Sequence, residues 1–263
     1  MASLPLRFKS HGAICLIMLT DDEIDRYARH LVLKEIGGHG QMKLKAARVA
    51  LVGMGGIGSP AALYLAAAGI GTLGLIDDDH VSLSNLQRQV LFATRDIGAA
   101  KAETAATHLQ DLNPHCNCRI HRLRLTEDNA AEVLNDYDIV LDGCDNFETR
   151  LLVNHVCHEL GKPLVSAALG RFSGQLATFD GSPCYQCLVP EIPPDAETCE
   201  RVGVVGALAG IMGTMAALET IKLITGAGET LNSKLLIFDG LDMTSRIVKL
   251  AADPACPVCC GSK

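Results

Sequence analysis

Arg48-Val49-Ala50-Leu51-Val52-Gly53-Met54-Gly55-Gly56-Ile57-Gly58 runs a short apolar stretch directly into a turn with glycine at four of its six positions. The five residues before the turn read as a buried strand, and Ala61 to Ala68 beyond it is strongly helix-favouring until Gly69. Gly53, Gly55 and Gly58 satisfy G-x-G-x-x-G in the setting that gives the motif meaning, after a strand and opening a helix. Asp77 stands nineteen residues beyond Gly58, where the next strand should end. The chemistry is that of nucleotide binding. Glycines let the backbone approach phosphates, exposed N–H groups at a helix start attract anionic oxygens, and a carboxylate at the neighbouring strand end accepts ribose hydroxyls. Taken alone, the motif fits NAD and ATP equally well.

Outward from this unit the same rhythm repeats. Thr72 to Ile76 reads as a second apolar strand stopped by Asp77-Asp78-Asp79, and Gly98 to Leu112 as a helix stopped by Asn113-Pro114. Tyr137 to Leu141 reads as a third strand ending at Asp142-Gly143-Cys144-Asp145, followed by helix to Leu160, and Leu164 to Ala168 as a fourth. Such alternation predicts an α/β fold with one doubly wound, mostly parallel, Rossmann-like sheet. After Gly170 the pattern changes: Gln175 to Asp180 alternates and Gly181-Ser182-Pro183 turns, which predicts antiparallel strands added to the sheet. Residues 189–203 hold three prolines and read as an exposed loop, Val204 to Ile224 as a small-residue helix, and Leu235 to Phe238 and Arg246 to Leu250 as strands. On the N-terminal side, Thr20-Asp21-Asp22-Glu23 reads as a cap with an acidic first turn, opening a helix that ends near Gly37-Gly38. Residues 20–263 are expected to form a single domain. Residues 1–19 are expected to be an N-terminal extension and a candidate for disorder, with Met18 as a candidate start.

Composition removes several classes of function. Of 263 residues, 48% are hydrophobic and 20% charged, inside the globular range. The 23 basic and 30 acidic residues give a net charge of −7, which supplies no general attraction to nucleic acid or an anionic membrane. Aromatics are 4% with no Trp, so stacking platforms for single strands are not expected. The longest uncharged run, Val202 to Leu218, is 17 residues with four glycines, too short and too glycine-rich to read as a membrane span. Eleven cysteines, an odd number, indicate a reduced, cytoplasmic, metal-binding protein rather than a disulfide scaffold.

The residues after Asp77 separate the nucleotides. Ser84-Asn85-Leu86-Gln87-Arg88-Gln89, then Arg95 and Lys101, place three cations and three amides just past the second strand. A pyrophosphate needs little beyond the glycine loop, whereas a triphosphate undergoing substitution needs positive charge where the leaving group gathers negative charge. These residues favour ATP; the alternatives are a solvated charged loop, or an NAD-dependent oxidoreductase for which no hydride-site residue can be named.

With these features together the chain resembles the ubiquitin-activating-enzyme-like adenylyltransferases of the MoeB, ThiF and HesA group. The resemblance runs from about Asp21 to Gly261. It is carried by Arg26-Tyr27-Ala28-Arg29, the glycine loop, Asp77 to Asp79, Ser84 to Gln89, Lys101, Cys144-Asp145-Asn146, Gly174-Gln175 and two C-x-x-C pairs. It implies adenylation, with MgATP, of the C-terminal Gly-Gly of a ubiquitin-like sulfur-carrier protein, and a separate sulfur-donor protein. It also implies that Gly53, Gly55, Gly56 and Gly58 form the nucleotide loop, that Asp77 holds the ribose with Asp79 beside it, and that Asn85, Arg88 and Lys101 bind phosphates with Gln89 nearby. Asp145 matches a magnesium-binding aspartate, and Arg29 an arginine that reaches the neighbouring subunit's site, which implies a homodimer. His30 departs from the usual glutamine, and Cys260 is additional. Leu125-Thr126-Glu127-Asp128-Asn129 and Asp142 to Phe147 look like the molybdopterin branch, whereas Pro60-Ala61-Ala62-Leu63-Tyr64-Leu65 and Cys256-Pro257-Val258-Cys259 look like the thiazole branch. The carrier of molybdopterin synthase is the favoured substrate, the thiamine thiazole carrier the alternative.

Cys184 and Cys187, then Cys256 and Cys259, form the two C-x-x-C pairs with 68 residues between them. Two such hairpins supply four thiolates for tetrahedral Zn²⁺, with Cys260 able to substitute for Cys259. A redox pair is disfavoured because neither motif is expected to open a helix. Cys199, in the proline-rich loop, is a candidate for sulfur transfer against the plainer reading of a spectator thiol. Cys15, Cys116, Cys118, Cys144 and Cys157 show no ligand spacing.

Overall fold

A computed structural model describes residues 18–192 and 203–260. The expected extension over 1–19 falls almost wholly outside the described residues, as does Cys199.

The sheet has eight strands in the order β3-β2-β1-β4-β5-β6-β7-β8. β1 (Arg48–Val52) pairs in parallel with β2 (Thr72–Ile76) on one side and β4 (Ile139–Asp142) on the other. β3 (Asn117–His121) and β5 (Leu164–Gly170) extend it, still parallel. From there the direction alternates: β6 (Ser173–Phe179), β7 (Lys234–Asp239) and β8 (Thr244–Lys249) add antiparallel. The mixed sheet therefore has the expected form.

Strand side chains alternate between two cores. Val49, Leu51, Leu73, Leu75, Ile139 and Leu141 pack on one face against α4 (Gly58–Ala67), α5 (Lys101–Leu112) and the long helix α9 (Gly206–Thr225). Ala50, Val52, Ile76 and Val140 pack on the other face with residues of α6 (Ala130–Asn135) and α7 (Phe147–Leu160). Strands buried on both faces read as continuous apolar runs, which is why β1 and β2 begin and end where the sequence predicts.

The N-terminal helices, β3 and α6 differ from expectation. Thr20 does cap α1 (Asp21–Arg26), with a reciprocal Thr20–Glu23 capping box, but the helix is short and is followed by α2 (Ala28–Leu31). Gly37 then begins α3 (Gly37–Ala46) rather than ending a helix. β3 was not anticipated, because Asn-Cys-Arg-Ile-His is an edge strand with largely exposed side chains and no apolar run. α9 falls where a small-residue helix is expected; its 20 residues are long and apolar enough by composition to cross a membrane, but one side of it packs against α3, α4, β5 and β6.

Candidate active site

At the carboxyl ends of β1 and β4 the sheet order reverses, and three segments converge there: Gly53 to Gly58, Asp77 to Asp79, and Gly143 to Phe147. In open α/β sheets this switch point is where ligands bind. They enclose a cleft of about 360 Å³.

The glycine loop is shaped by close approach. Gly53 has φ +88°, and a Cβ on Gly58 would lie 1.9 Å from the Gly53 carbonyl oxygen, so only glycine lets α4 start there. The loop is tied sideways by Asp77, whose Oδ2 accepts from Met54 N–H at 2.7 Å and whose Oδ1 accepts from Asp79 N–H at 2.9 Å. Burial pushes the Asp77 carboxyl up from the usual carboxylate range, against the opposing pull of the Lys101 ammonium and these two amides.

Lys101 is the first residue of α5 and is almost wholly buried, with Nζ 3.0 Å from Asp79 Oδ2. A buried cation at the positive end of a helix needs acids to face it, here Asp79 and Asp77, and together they line the cleft. Arg88 also lines the cleft and donates to Ser84 O at 2.9 Å. Gln89 lies beside Gly55, and its buried Oε1 has no hydrogen-bond partner among the described residues. An orphaned buried acceptor at a cleft wall fits a ligand that donates to it.

Across the cleft, Asp145 is exposed at its wall and accepts from Asn146 Nδ2 at 3.5 Å. Its exposed carboxylate, lining the same cleft as Asp77 to Asp79, suits a hard divalent cation bound together with phosphates. The loop carrying it is fixed from beneath by Arg150, which sequence reading missed. Arg150 donates to Asp142 Oδ2 and Ser166 Oγ at 3.0 Å each, to Ala167 O at 2.8 Å, and to Cys144 O at 2.5 Å. The legible signal was an acid closing a strand and an arginine one turn into the next helix. Cys144 also lines the cleft; burial first, then Asp142, holds its thiol well above the usual range, so it is a neutral group there.

The structure thus gathers Gly53, Gly55, Gly56, Asp77, Asp79, Arg88, Gln89, Lys101 and Asp145 around one cleft. Gly58 lies just behind the loop. Asn85 does not line the cleft; its Oδ1 accepts from Ser82 N–H at 3.2 Å, capping a 3₁₀ turn. Arg29 is exposed on α2 and also does not line it.

A second cluster lies outside the lining of the cleft. Sγ atoms of Cys184, Cys187, Cys256 and Cys259 all lie within 4.8 Å of one another, and 3.6 Å separates Cys184 from Cys256 and 3.3 Å Cys187 from Cys259. With Zn–S bonds of about 2.3 Å a tetrahedral site has sulfur–sulfur edges of about 3.8 Å, so the four thiols fit the ion. Contrary to expectation, Cys184 does cap a one-turn helix, α8 (Tyr185–Leu188). The sulfur contacts nevertheless run across the two segments, the arrangement of a shared ligand set.

The comparisons with known proteins follow the geometry. The ThiF family profile matches residues 27–258. A protein of Aedes aegypti named adenylyltransferase and sulfurtransferase MOCS3 is 47% identical over 251 residues, covering 93% of this chain but 57% of its own. The chain therefore spans little more than half of that relative. A sulfur carrier protein adenylyltransferase of Thermus thermophilus is 43% identical over 249 residues, covering 91% of this chain and 92% of its own. Among solved structures, E. coli MccB with MccA-N7isoASN superposes with a TM-score of 0.80 at 24% identity, covering 91% of this chain and 75% of its own, a likeness of fold. Match length and identity agree with the glycine loop and its surrounding charges: the chain belongs to the ThiF family, within the MoeB/ThiF group of adenylyltransferases.

Proposed function

We propose that the protein transfers the adenylyl group of ATP to the C-terminal glycine carboxylate of a ubiquitin-like sulfur-carrier protein ending in Gly-Gly, releasing pyrophosphate. The carrier is that of molybdopterin synthase, for molybdenum cofactor synthesis in the cytoplasm, with a sulfur-donor protein acting on the product. The observation that supports this reading is that Arg88, Lys101 and Asp145 line a single cleft together with Gly53, Gly55 and Gly56.

The attacking group is a carboxylate with an ordinary pKa of about 3.5, already ionised at neutral pH, so no general base is needed. One of its oxygens forms a bond to the α-phosphorus while the bond to the β-phosphate oxygen breaks. Gly53, Gly55 and Gly56 leave room for the triphosphate against the backbone, and Asp77 accepts from the ribose. Lys101 and Arg88 offset the charge that gathers on the departing pyrophosphate. Asp145 would hold Mg²⁺, which when bound neutralises phosphate charge and orients the chain for in-line displacement. In a homodimer, Arg29 of each protomer completes its partner's site. Cys199 remains a candidate for later sulfur handling.

Pyrophosphate release from MgATP, measured with each candidate carrier, tests this. Release that depends on the molybdopterin carrier supports the reading, and release that depends on the thiazole carrier moves the substrate to that branch. No release with any carrier, alongside NAD binding, overturns the activity.

A further inference from the structure

Beside the four clustered thiols of Cys184, Cys187, Cys256 and Cys259, a fifth, Cys260, stands next to Cys259. Residues 256–260 wind into a turn in which Cys260 N–H donates to Cys256 O at 3.2 Å. In a helical turn the positions three and four residues on both lie over the face of the first, so Cys259 and Cys260 are both delivered to the side of Cys256. Cys260 Sγ lies 3.7 Å from Cys259 Sγ, about one edge of a tetrahedral zinc–sulfur site.

The supports differ from corner to corner. Asn154 Nδ2 donates to Cys184 Sγ at 3.5 Å, and Asp253 N–H to Cys187 Sγ at 3.4 Å. Cys256 is buried. At the remaining corner the Cys184 backbone also bonds Cys259, and a rotor reaches both candidate sulfurs: Ser182 Oγ stands 3.5 Å from Cys259 Sγ and 3.8 Å from Cys260 Sγ. A hydroxyl turning about its C–O bond can donate to whichever sulfur is the thiolate.

We propose that the fourth corner of the zinc site is shared, with Cys259 and Cys260 exchanging as ligand and the displaced sulfur remaining a reactive thiol beside the metal. The proposal rests on zinc occupying the Cys184–Cys187–Cys256 cluster. In the exchange the entering thiol gives its proton to solvent as its sulfur–zinc bond forms, and the leaving thiolate takes one up as its bond breaks. Net charge and oxidation state are unchanged, and no co-reactant is needed. The site keeps its metal when either of the two thiols is lost, and always presents one nucleophilic sulfur at its edge.

Brief N-ethylmaleimide treatment of the zinc-loaded full chain, read by peptide mass spectrometry, tests this. The expected result is label on Cys259 in some chains and on Cys260 in others, summing to about one per chain with zinc retained. Label confined to Cys260 overturns sharing. Zinc content of variants is the second measurement: Cys259→Ser and Cys260→Ser should each keep near one zinc, whereas Cys184→Ser and the Cys259→Ser/Cys260→Ser double variant should lose it. With Co²⁺ in place of zinc, the thiolate charge-transfer band should keep its intensity in both single variants. Zinc loss by Cys259→Ser equal to that by Cys184→Ser overturns the proposal, and if that variant does not fold, labelling of the unaltered chain decides. A chain that takes up no zinc at all removes the site itself, and sharing with it.

Discussion

The amide of Met54 donates to Asp77 Oδ2 across 2.7 Å, so the carboxylate facing the cleft also braces the glycine loop. Asp77→Ala removes the acceptor of two amides at once; the Asp79 amide is exposed and can turn to water, whereas the Met54 donor is partly buried, and leaving it without a partner costs about 1–3 kcal/mol. We expect a lower melting temperature together with weaker ATP binding by calorimetry, and a smaller loss of both in Asp77→Asn, whose carbonyl oxygen can still accept. Unchanged stability in Asp77→Ala would show that the bracing is not energetically significant.

Two glycines of the loop should separate stability from binding. At Gly58 a methyl group would stand 1.9 Å from the Gly53 carbonyl oxygen, so Gly58→Ala must move backbone and should cost about 3 kcal/mol or more. At Gly55 the nearest atom, Gln89 Nε2, is 3.9 Å away, so Gly55→Ala should fold with its melting temperature shifted by about 2 °C or less. The added methyl still projects toward the cradle, so ATP affinity should fall in Gly55→Ala. Thermal melts and nucleotide titrations of the two variants distinguish the effects.

Asp145 is exposed, and its side chain accepts only from neighbouring Asn146 among the hydrogen bonds described. Asp145→Ala should therefore leave stability within about 0.5 kcal/mol, yet cut pyrophosphate release by about 10³-fold or more. Near-normal release from the folded variant would remove Asp145 from the magnesium site.

Because Arg29 does not line its own chain's cleft, Arg29→Ala and Lys101→Ala subunits should complement each other. A mixed dimer holds one site with both residues intact, so mixing the inactive homodimers should recover up to about half the activity of an intact site pair per heterodimer. Heterodimers that form and stay inactive would refute the in-trans arrangement.

Zinc removal should act on stability more than on chemistry. Four thiolates around zinc would close the coordination shell and leave no position for substrate, so chelation or Cys184→Ser should lower the melting temperature by on the order of 10 °C. Adenylation by the fraction still folded should persist. An unchanged melting temperature with adenylation lost would assign the cysteines to the reaction.

The parts of the fold legible in the sequence are those whose burial is symmetric. Arg48 to Val52 and Thr72 to Ile76 are covered on both faces and announce themselves as apolar runs. β3 is largely exposed and carries Asn117, Arg119 and His121, so nothing local distinguishes it from a loop; its pairing with β2 is a tertiary fact. Gly37-Gly38 reads as a stop by local propensity, and the structure starts α3 there instead. At the cleft, the loop glycines and the charges at strand ends were legible because each sits next to a recognisable element boundary. Arg150 was not: the acceptors Asp142, Ser166, Ala167 and Cys144 lie in β4, β5 and the segment between β4 and α7, and only the folded sheet brings them to one guanidinium.

The position of α9 in the chain has a temporal consequence. A Cβ on Gly213 would lie 2.4 Å from the Ile57 carbonyl oxygen and 2.5 Å from Pro60 Cγ, so α9 presses directly on the turn that opens α4. That turn is made early in synthesis, while α9 ends at Thr225. At about 5–20 residues per second, ribosomes need roughly ten to thirty seconds to travel between the two. Throughout that interval Ala61, Ala62 and Leu65 have no α9 to cover them, and the nucleotide loop has no backing. The nascent chain should bind ATP only after α9 has emerged, which makes nucleotide binding a late reporter of folding although its motif lies in the first quarter of the sequence.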